Sequence, residues 1–238
     1  MNYKRNQKYY RDWLPIMRMV VLLAIGIVLL ISGSDLPILL IGGVILIGLC
    51  AVYIWTGFTG AWTAPGSKEM RAQCDQYKYS EEQFCQEAMN AFGLSGEVKY
   101  IFGEEFSAIN AAKILNDPND ARMRQSLTDR YEQFAFFFDT DQIHFYSRSF
   151  SLIEDKDLVI KQSFYYDEIV EATAFKQAPA DLMPPGGQSI AHLYRALQIH
   201  TRVGNDLYIV SRIDEETMNS YAQTLNENVL NYIHAQRR

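Results

Sequence analysis

The sequence contains few of the short motifs that carry enzyme chemistry. Its three cysteines and four histidines form no CxxC or HExxH spacing, so a zinc site would need ligands from distant elements. It also lacks the Gly-x-Ser-x-Gly elbow of many hydrolases, and the glycine-rich Pro184–Gly187 has no lysine of the kind that phosphate-binding loops carry. These absences exclude the commonest motif-based enzymes. We expect no catalytic residue, no cofactor-binding residue, no cofactor and no metal ligand.

The remaining polar candidates have structural interpretations. His144 and His200 fall out of phase with the apolar residues of their strands, which predicts exposed histidines. The alternation Ser147–Ser151 indicates the end of a strand rather than a nucleophile. Adjacent acidic side chains point apart in a helix or strand, and aspartates two positions apart are typical of turns. The acidic pairs of this kind are Glu104/Glu105, Asp139/Asp141, Asp155/Asp157 and Asp167/Glu168.

Charge is almost absent over residues 20–55, where Asp35 is the only charged side chain. At about 1.5 Å per residue, some 20 apolar residues span a bilayer core of roughly 30 Å. The pattern predicts an N-terminal transmembrane hairpin over residues 13–55, with spans at 13–32 and 36–55. A signal peptide, or one span with an interfacial segment, is the alternative. The hairpin is favoured because a second apolar run follows without a cleavage site.

The charges outside the apolar region are unevenly distributed. Residues 1–12 form a basic leader, and residues 1–18 as a whole carry a net charge of +4. Residues 66–238 carry 17 Lys and Arg against 26 Asp and Glu, a net charge of −9. The positive-inside bias predicts a multi-pass protein of the cell (inner or plasma) membrane with both termini cytoplasmic. An acidic domain repels phosphates, which excludes nucleic acid and disfavours anionic lipid headgroups as its ligands.

The three cysteines are expected to be unpaired. Cys50 lies in the second apolar run, where it is most simply a small apolar residue. Cys74 and Cys85 flank a predicted helix start and could form a disulfide outside the cell. In the predicted cytoplasmic location they are free thiols.

A linker at residues 56–67 precedes a region, 68–130, whose pattern is mainly helical. Ser80–Gln83 has the form of a capping box, and apolar residues recur on one helical face behind it. Behind this helix we expect a strand at Val98–Phe102, a helix at Phe106–Leu115 and a helix from Asp117 to Arg130.

Residues 131–238 change to a two-residue period. Alternating apolar residues and turn signals predict an antiparallel meander of six or seven strands, interrupted by a long Pro/Gly loop at Lys176–Ser189. The chain closes with an amphipathic helix that Asp214 caps. The fold class is therefore α+β.

Four segments of this half resemble bacterial membrane proteins that have a PH-like domain, the YcxB-like group. They are Phe134–Phe138, Asp139–Tyr146, Tyr165–Val170 and Leu207–Val210. The resemblance covers about residues 131–233. It implies a bent antiparallel sheet whose open end a C-terminal helix closes, and it implies no catalytic residues.

These patterns predict a membrane-anchored scaffold or regulatory protein, not an enzyme. The hairpin would contact the lipid bilayer, and the cytosolic α+β domain would bind a protein partner or a second copy of the chain. Two alternatives stay open at this point. One is an accessory subunit that docks on a membrane complex through its hairpin. The other is a membrane-bound enzyme with an acidic cleft between residues 68–130 and the sheet.

Overall fold

The chain forms two compact units, Asn2–Gly66 and Ser67–Arg238. The computed structural model describes residues 1–10, 14–32, 37–62, 65–111, 128–184 and 187–237. The connection between the two predicted spans, residues 33–35, and most of the helix predicted from Asp117 lie outside the described residues.

Within its described residues the first unit contains three helices: α1 (Tyr3–Gln7), α2 (Leu14–Ser32) and α3 (Pro37–Trp62). Helices α2 and α3 pack together at two glycines. A Cβ atom added to Gly43 would lie 3.1 Å from the carbonyl oxygen of Gly26, so the two backbones are in contact there. The absence of side chains at both positions makes this close approach possible.

No helix in the described part of the chain is both long and apolar enough to cross a membrane. This finding corrects the predicted transmembrane hairpin with spans at 13–32 and 36–55. It also corrects the multi-pass, cell-membrane location that was derived from the hairpin.

The described residues of the second unit form two helices, then seven strands and a closing helix. The helices are α4 (Ser67–Tyr77), α5 (Glu81–Phe92) and α6 (Glu215–Gln236). The strands are β1 (Lys99–Phe106), β2 (Arg130–Phe138), β3 (Gln142–Ser151), β4 (Asp157–Tyr165), β5 (Ile169–Phe175), β6 (Arg195–Thr201) and β7 (Leu207–Ser211). Two short 3-10 helices, Ala180–Leu182 and Gln188–Leu193, lie in the loop between β5 and β6.

The strands form two antiparallel sheets with orders β1-β2-β3-β4 and β5-β6-β7. A bridge between Ser107 and Ser211 joins the end of β1 to the end of β7. The α+β class expected for this half of the chain is therefore correct, with two sheets of four and three strands.

The main core lies between the two sheets and α6. One face of each sheet, here called the inner face, supplies alternate buried residues such as Phe134 and Phe136 of β2 and Ile199 of β6. Helix α6 adds Met218 and Leu225 to the same cluster. The two-residue period predicted for these strands corresponds to this inner face.

The opposite, outer face of the four-stranded sheet is also buried, because α5 packs on it. Phe84 and Ala88 of α5 contact Ala135 and Phe137 of β2 and Tyr146 of β3 in a second apolar cluster. Strand β2 is consequently buried on both faces, and its residues 133–138 are all buried. A strand that is covered on both faces has a continuous apolar sequence, and Phe134–Phe138 is such a sequence.

The helix ends follow the predicted capping chemistry. The hydroxyl of Ser80 accepts from the N–H of Gln83, and the Gln83 side chain accepts from the N–H of Ser80. Gly93 ends α5 with a φ of 70°, a left-handed conformation that favours glycine. The carboxylate of Asp214 accepts from the N–H of Thr217 at the start of α6.

The predicted helix at Phe106–Leu115 is wrong within the described residues. Phe106 is the last residue of β1, and Ser107 forms a strand bridge instead of a helical turn. The helix predicted to end near Arg130 is wrong at its described end, because Arg130 begins β2. The pairing of β1 with β2 decides both cases, and such long-range pairing has no local sequence signal.

Candidate functional site: the edge of strand β4

The structure keeps the histidines apart. His144 is 8 % exposed, its ring stacks 4.8 Å from that of Phe92, and its Nδ1 lies 2.7 Å from Oγ of Ser163. The prediction of an exposed His144 is wrong because α5 covers the outer face of the sheet. His200 is exposed, as predicted, and its Nδ1 lies 3.0 Å from the carboxylate of Asp206.

At least one member of each acidic pair has a structural partner. Asp139 and Asp141 form the turn between β2 and β3, where their carbonyl oxygens accept hydrogen bonds from the hydroxyl and the N–H of Tyr166. Glu104 contacts Lys78, and Asp157 accepts from Arg148 at 2.9 Å. Within the described ranges, no group of three or more His, Cys, Asp or Glu side chains is arranged to hold a metal ion.

The serines of β3 lie on its inner face, at the polar end of the core. Each hydroxyl contacts a charged side chain on or next to β2: Ser147 that of Glu132, Ser149 that of Arg130 and Ser151 that of Asp129. Burial raises the pKa of the Glu132 carboxyl, while hydrogen bonds from serine hydroxyls and the nearby Arg130 act in the opposite direction. The cluster joins two strands, β2 and β3.

The cysteines are free, as predicted. Cys74 is buried in α4 and Cys85 in α5. Burial raises the pKa of the Cys85 thiol to about 11 and that of Cys74 still further. Thiols with raised pKa values are poor nucleophiles at neutral pH.

Helices α4 and α5 are fixed to the outer face at the point where they meet. The N–H of Tyr79 donates to Oε1 of Gln133 at 3.0 Å, and Nε2 of Gln133 donates to the carbonyl of Tyr79 at 2.9 Å. The same Nε2 donates to Glu104, which contacts Lys78. The guanidinium of Arg148 lies 4.0 Å from the centre of the Tyr79 ring. These contacts cover the outer face of β1, β2 and β3 but not that of β4.

Helix α6 contacts the edges of β1 and β5 at one residue each. The hydroxyl of Tyr221 donates to the carbonyl of Phe102 in β1 at 2.9 Å. The side-chain amide of Asn226 accepts from the N–H of Ala172 in β5 and donates to its carbonyl, both at 2.8 Å. An amide side chain here occupies the place that a neighbouring strand would take.

Strand β4 has an open edge. Hydrogen bonds from Ser151 to Lys156 and from Tyr166 to Asp141 show that the even-numbered residues of β4 pair with β3. In an antiparallel ladder the alternate residues then direct their backbone groups away from the partner. These residues are Asp157, Val159, Lys161, Ser163 and Tyr165. The N–H of Tyr165 donates to the carboxylate of Glu168, and the described residues supply no strand beside the others.

The open edge also exposes apolar side chains. Val159 is 43 % exposed and Tyr165 is 49 % exposed, both on the outer phase of the strand. Leu158, on the inner phase, is 36 % exposed. Unpaired backbone groups together with apolar side chains form a template for an additional strand.

The electrostatic environment of the edge is acidic at both ends. Residues 154–171 carry six acidic and two basic side chains, a net charge of −4. Glu154, Asp155 and Asp157 lie at the start of β4, and Asp167 and Glu168 follow its end. Lys161 lies at the middle of the strand. We call the backbone and side chains of residues 157–163, with these acidic ends, the β4 edge.

The periodicity of the single strands does not identify this site. The sequence contains one indication of the site. Leu158, Val159 and Ile160 are consecutive apolar residues, so the strand is apolar on both faces. That signal alone also fits a fully buried strand. The order of strands in the sheet is needed to tell the two cases apart.

Comparison of the chain with models of known protein families and with curated proteins found no match.

Proposed function

We propose that the chain is a non-catalytic scaffold or regulatory protein, and that its second unit binds a protein partner as an added strand at the β4 edge. The observation that carries the proposal is the contrast between the sheet edges. Side chains of α6 contact the backbone at the edges of β1 and β5, whereas the outward backbone groups of Val159, Lys161 and Ser163 are unpaired within the described residues.

Strand addition uses two kinds of contact, and the β4 edge offers both. Main-chain hydrogen bonds give affinity, and pockets or patches for alternate side chains give selectivity. The outward N–H and C=O groups of three residues can form the main-chain bonds. Val159 and Tyr165 can contact the partner side chains on the outer face, because α5 leaves this strand uncovered.

The resemblance to PH-like domains belongs to this proposal. A bent antiparallel sheet closed by a C-terminal helix is the arrangement that the resemblance implies. Support comes from the order of four strands, three strands and α6, which packs against β5 and β6. Because the resemblance implies no catalytic residues, it agrees with a binding role.

An acidic-cleft enzyme receives less support. Such an enzyme needs a space between the helical region and the sheet. Phe84 and Ala88 of α5 instead fill the described part of that interface against Ala135 and Phe137. Nucleic acid and anionic lipid headgroups are poor ligands for the second unit, because its net charge is strongly negative.

Photo-crosslinking in living cells tests the proposal. A photoreactive amino acid replaces Val159 in the full chain, and in a second version replaces Glu82 on the exposed side of α5. We expect one or a few proteins that crosslink through position 159 and not through position 82. Equal crosslinking from both positions would contradict a specific site.

A backbone variant makes the test specific for strand addition. Lys161→Pro removes an outward N–H without removing a ladder bond, and the matched Lys161→Ala removes the same side-chain charge but keeps the N–H. We expect Lys161→Pro to abolish the position-159 crosslink and Lys161→Ala to retain it, with both variants folded by circular dichroism. Crosslinking that survives in Lys161→Pro would overturn the proposal.

A further inference from the structure

We infer that the segment recognised at the β4 edge is an extended strand of a partner protein with a basic residue near each end and an uncharged or acidic centre. This inference rests on the proposed function and goes further, because it specifies the chemistry of the partner. It follows from the positions of the charges along the strand and from the length of the open edge.

The length of the open edge sets the length of the partner strand. Asp157 and Tyr165 are eight residues apart, which corresponds to about 26 Å at roughly 3.3 Å per residue. Glu168 already accepts from the N–H of Tyr165, so the carboxylate of Glu168 occupies the position of a partner carbonyl at that end. A strand of about nine residues would cover the edge from one end to the other.

The charges at the two ends have the same sign. At the start of β4, Asp157 bonds to Arg148 and Glu154 bonds to Lys156, so these carboxylates are partly neutralised. After the end of β4, Asp167 has no ion pair within the described residues, and Glu168 lies beside it. A partner strand therefore meets negative potential at both of its ends, most strongly beside Asp167.

The centre of the edge has the opposite sign. The side chain of Lys161 is exposed on the outer phase, midway between the acidic ends. A lysine in the middle of an edge strand usually discourages pairing with other strands. At the β4 edge Lys161 selects among partner strands. Its charge repels a basic residue at the centre of a partner strand, whereas the acidic ends of the edge attract basic residues at the partner's ends. Acidic ends and a basic middle together favour the pattern basic–uncharged–basic in the partner.

Synthetic peptides test this pattern directly. The probe has nine residues, alternating valine and threonine with a lysine at each end, and blocked termini. The matched peptide has glutamate in place of both lysines. Binding to the full chain is measured by fluorescence anisotropy. We expect the lysine-ended peptide to bind about tenfold more tightly than the glutamate-ended peptide at low salt, with the difference shrinking at high salt.

Variants of the chain locate the effect. Asp167→Asn should lower the affinity of the chain for the lysine-ended peptide about threefold, which is the effect expected of one exposed charge pair. Asp181→Asn, the same change in an exposed 3-10 helix, should leave binding unchanged. Lys161→Pro should abolish binding of both peptides. This set of results would support the inference.

Three results would overturn it. Equal binding of the two peptides, with loss in Lys161→Pro, would retain the strand-binding function and reject the basic partner. Binding of neither peptide would also reject the inference, and the crosslinking experiment would then decide the proposed function separately. Self-association of the full chain that Lys161→Pro abolishes would assign the edge to a second copy instead.

Discussion

The side-chain amide of Gln133 pairs with the backbone of Tyr79 in the same way that one strand pairs with another. It accepts from the Tyr79 N–H at 3.0 Å and donates to the Tyr79 carbonyl at 2.9 Å. Asn226 forms the same pair of bonds with Ala172 at the edge of β5. One amide thus fixes the α4–α5 connection on the outer face, and the other closes a sheet edge.

Replacing Gln133 should loosen the helical pair. Gln133→Leu leaves the N–H and the carbonyl of Tyr79 without their partners, and we expect the free energy of unfolding to fall by about 2–4 kcal/mol. Urea unfolding followed by circular dichroism measures the change. Gln86→Leu removes an exposed amide of α5 that bonds to Asn90, and it should cost less than about 1 kcal/mol. Equal losses in the two variants would contradict the role of Gln133.

The ring of Phe134 on the neighbouring strand leaves no room for a side chain at Gly103. A Cβ atom at position 103 would lie 2.4 Å from Cζ of that ring, which is buried in the main core. We expect Gly103→Ala to lower the free energy of unfolding by about 3 kcal/mol through overpacking.

A double variant separates overpacking from a general effect of alanine at this position. Phe134→Leu shortens the side chain, so it should tolerate alanine at position 103 better than the native phenylalanine does. The two changes together should cost at least about 1 kcal/mol less than the sum of the single changes. Strict additivity in thermal or urea unfolding would show that the ring is not the cause.

The contact between α2 and α3 predicts different effects at two adjacent glycines. Gly43→Ala places a Cβ 3.1 Å from the carbonyl oxygen of Gly26, whereas Gly42→Ala places one in open space. Urea unfolding should show that Gly43→Ala lowers the free energy of unfolding by about 1–3 kcal/mol. Gly42→Ala should be neutral or stabilised by up to about 1 kcal/mol, because alanine favours helix. Equal changes in the free energy of unfolding of the two variants would contradict the contact between Gly43 and Gly26.

Glu132 should make stability depend on pH. Burial raises the folded-state pKa of its carboxyl, so the folded chain binds more protons than the unfolded chain. The contribution of Glu132 to stability therefore declines as the pH rises above the unfolded value of about 4.3, until the folded-state pKa is passed.

The variant Glu132→Gln removes this titration and keeps an oxygen that accepts from Ser147. Relative to the native chain, it should become progressively more stable between pH 4 and pH 8 in urea unfolding. Glu82→Gln, on the exposed side of α5, controls for the loss of one negative charge. A constant difference between native chain and Glu132→Gln across this range would reject the prediction.

The sequence was sufficient for features that depend on local chemistry. The capping box at Ser80, the cap at Asp214 and the alternation of Phe134 and Phe136 all follow from neighbouring residues. The burial of His144 could not be predicted in this way, because it depends on the ring of Phe92 from a helix some 50 residues earlier.

The candidate site depends even more on long-range structure. An edge strand and a central strand can have the same sequence pattern, and the difference lies in which strands pair. Val159 is exposed because β4 is the last strand of its sheet and α5 does not reach it. The apolar run at residues 20–55 shows the converse, because its composition predicted membrane spans that the described helices do not provide.

Amide hydrogen exchange along β4 tests the central claim most directly. In the free full chain, we expect the outward N–H groups of Val159, Lys161 and Ser163 to exchange fast, and those of Leu158, Ile160 and Gln162, which face β3, to exchange slowly. The lysine-ended peptide should slow the three outward amides and leave the other three unchanged. Outward amides that are already protected in the free chain, or that stay fast with peptide bound at saturation, would contradict strand addition at the β4 edge.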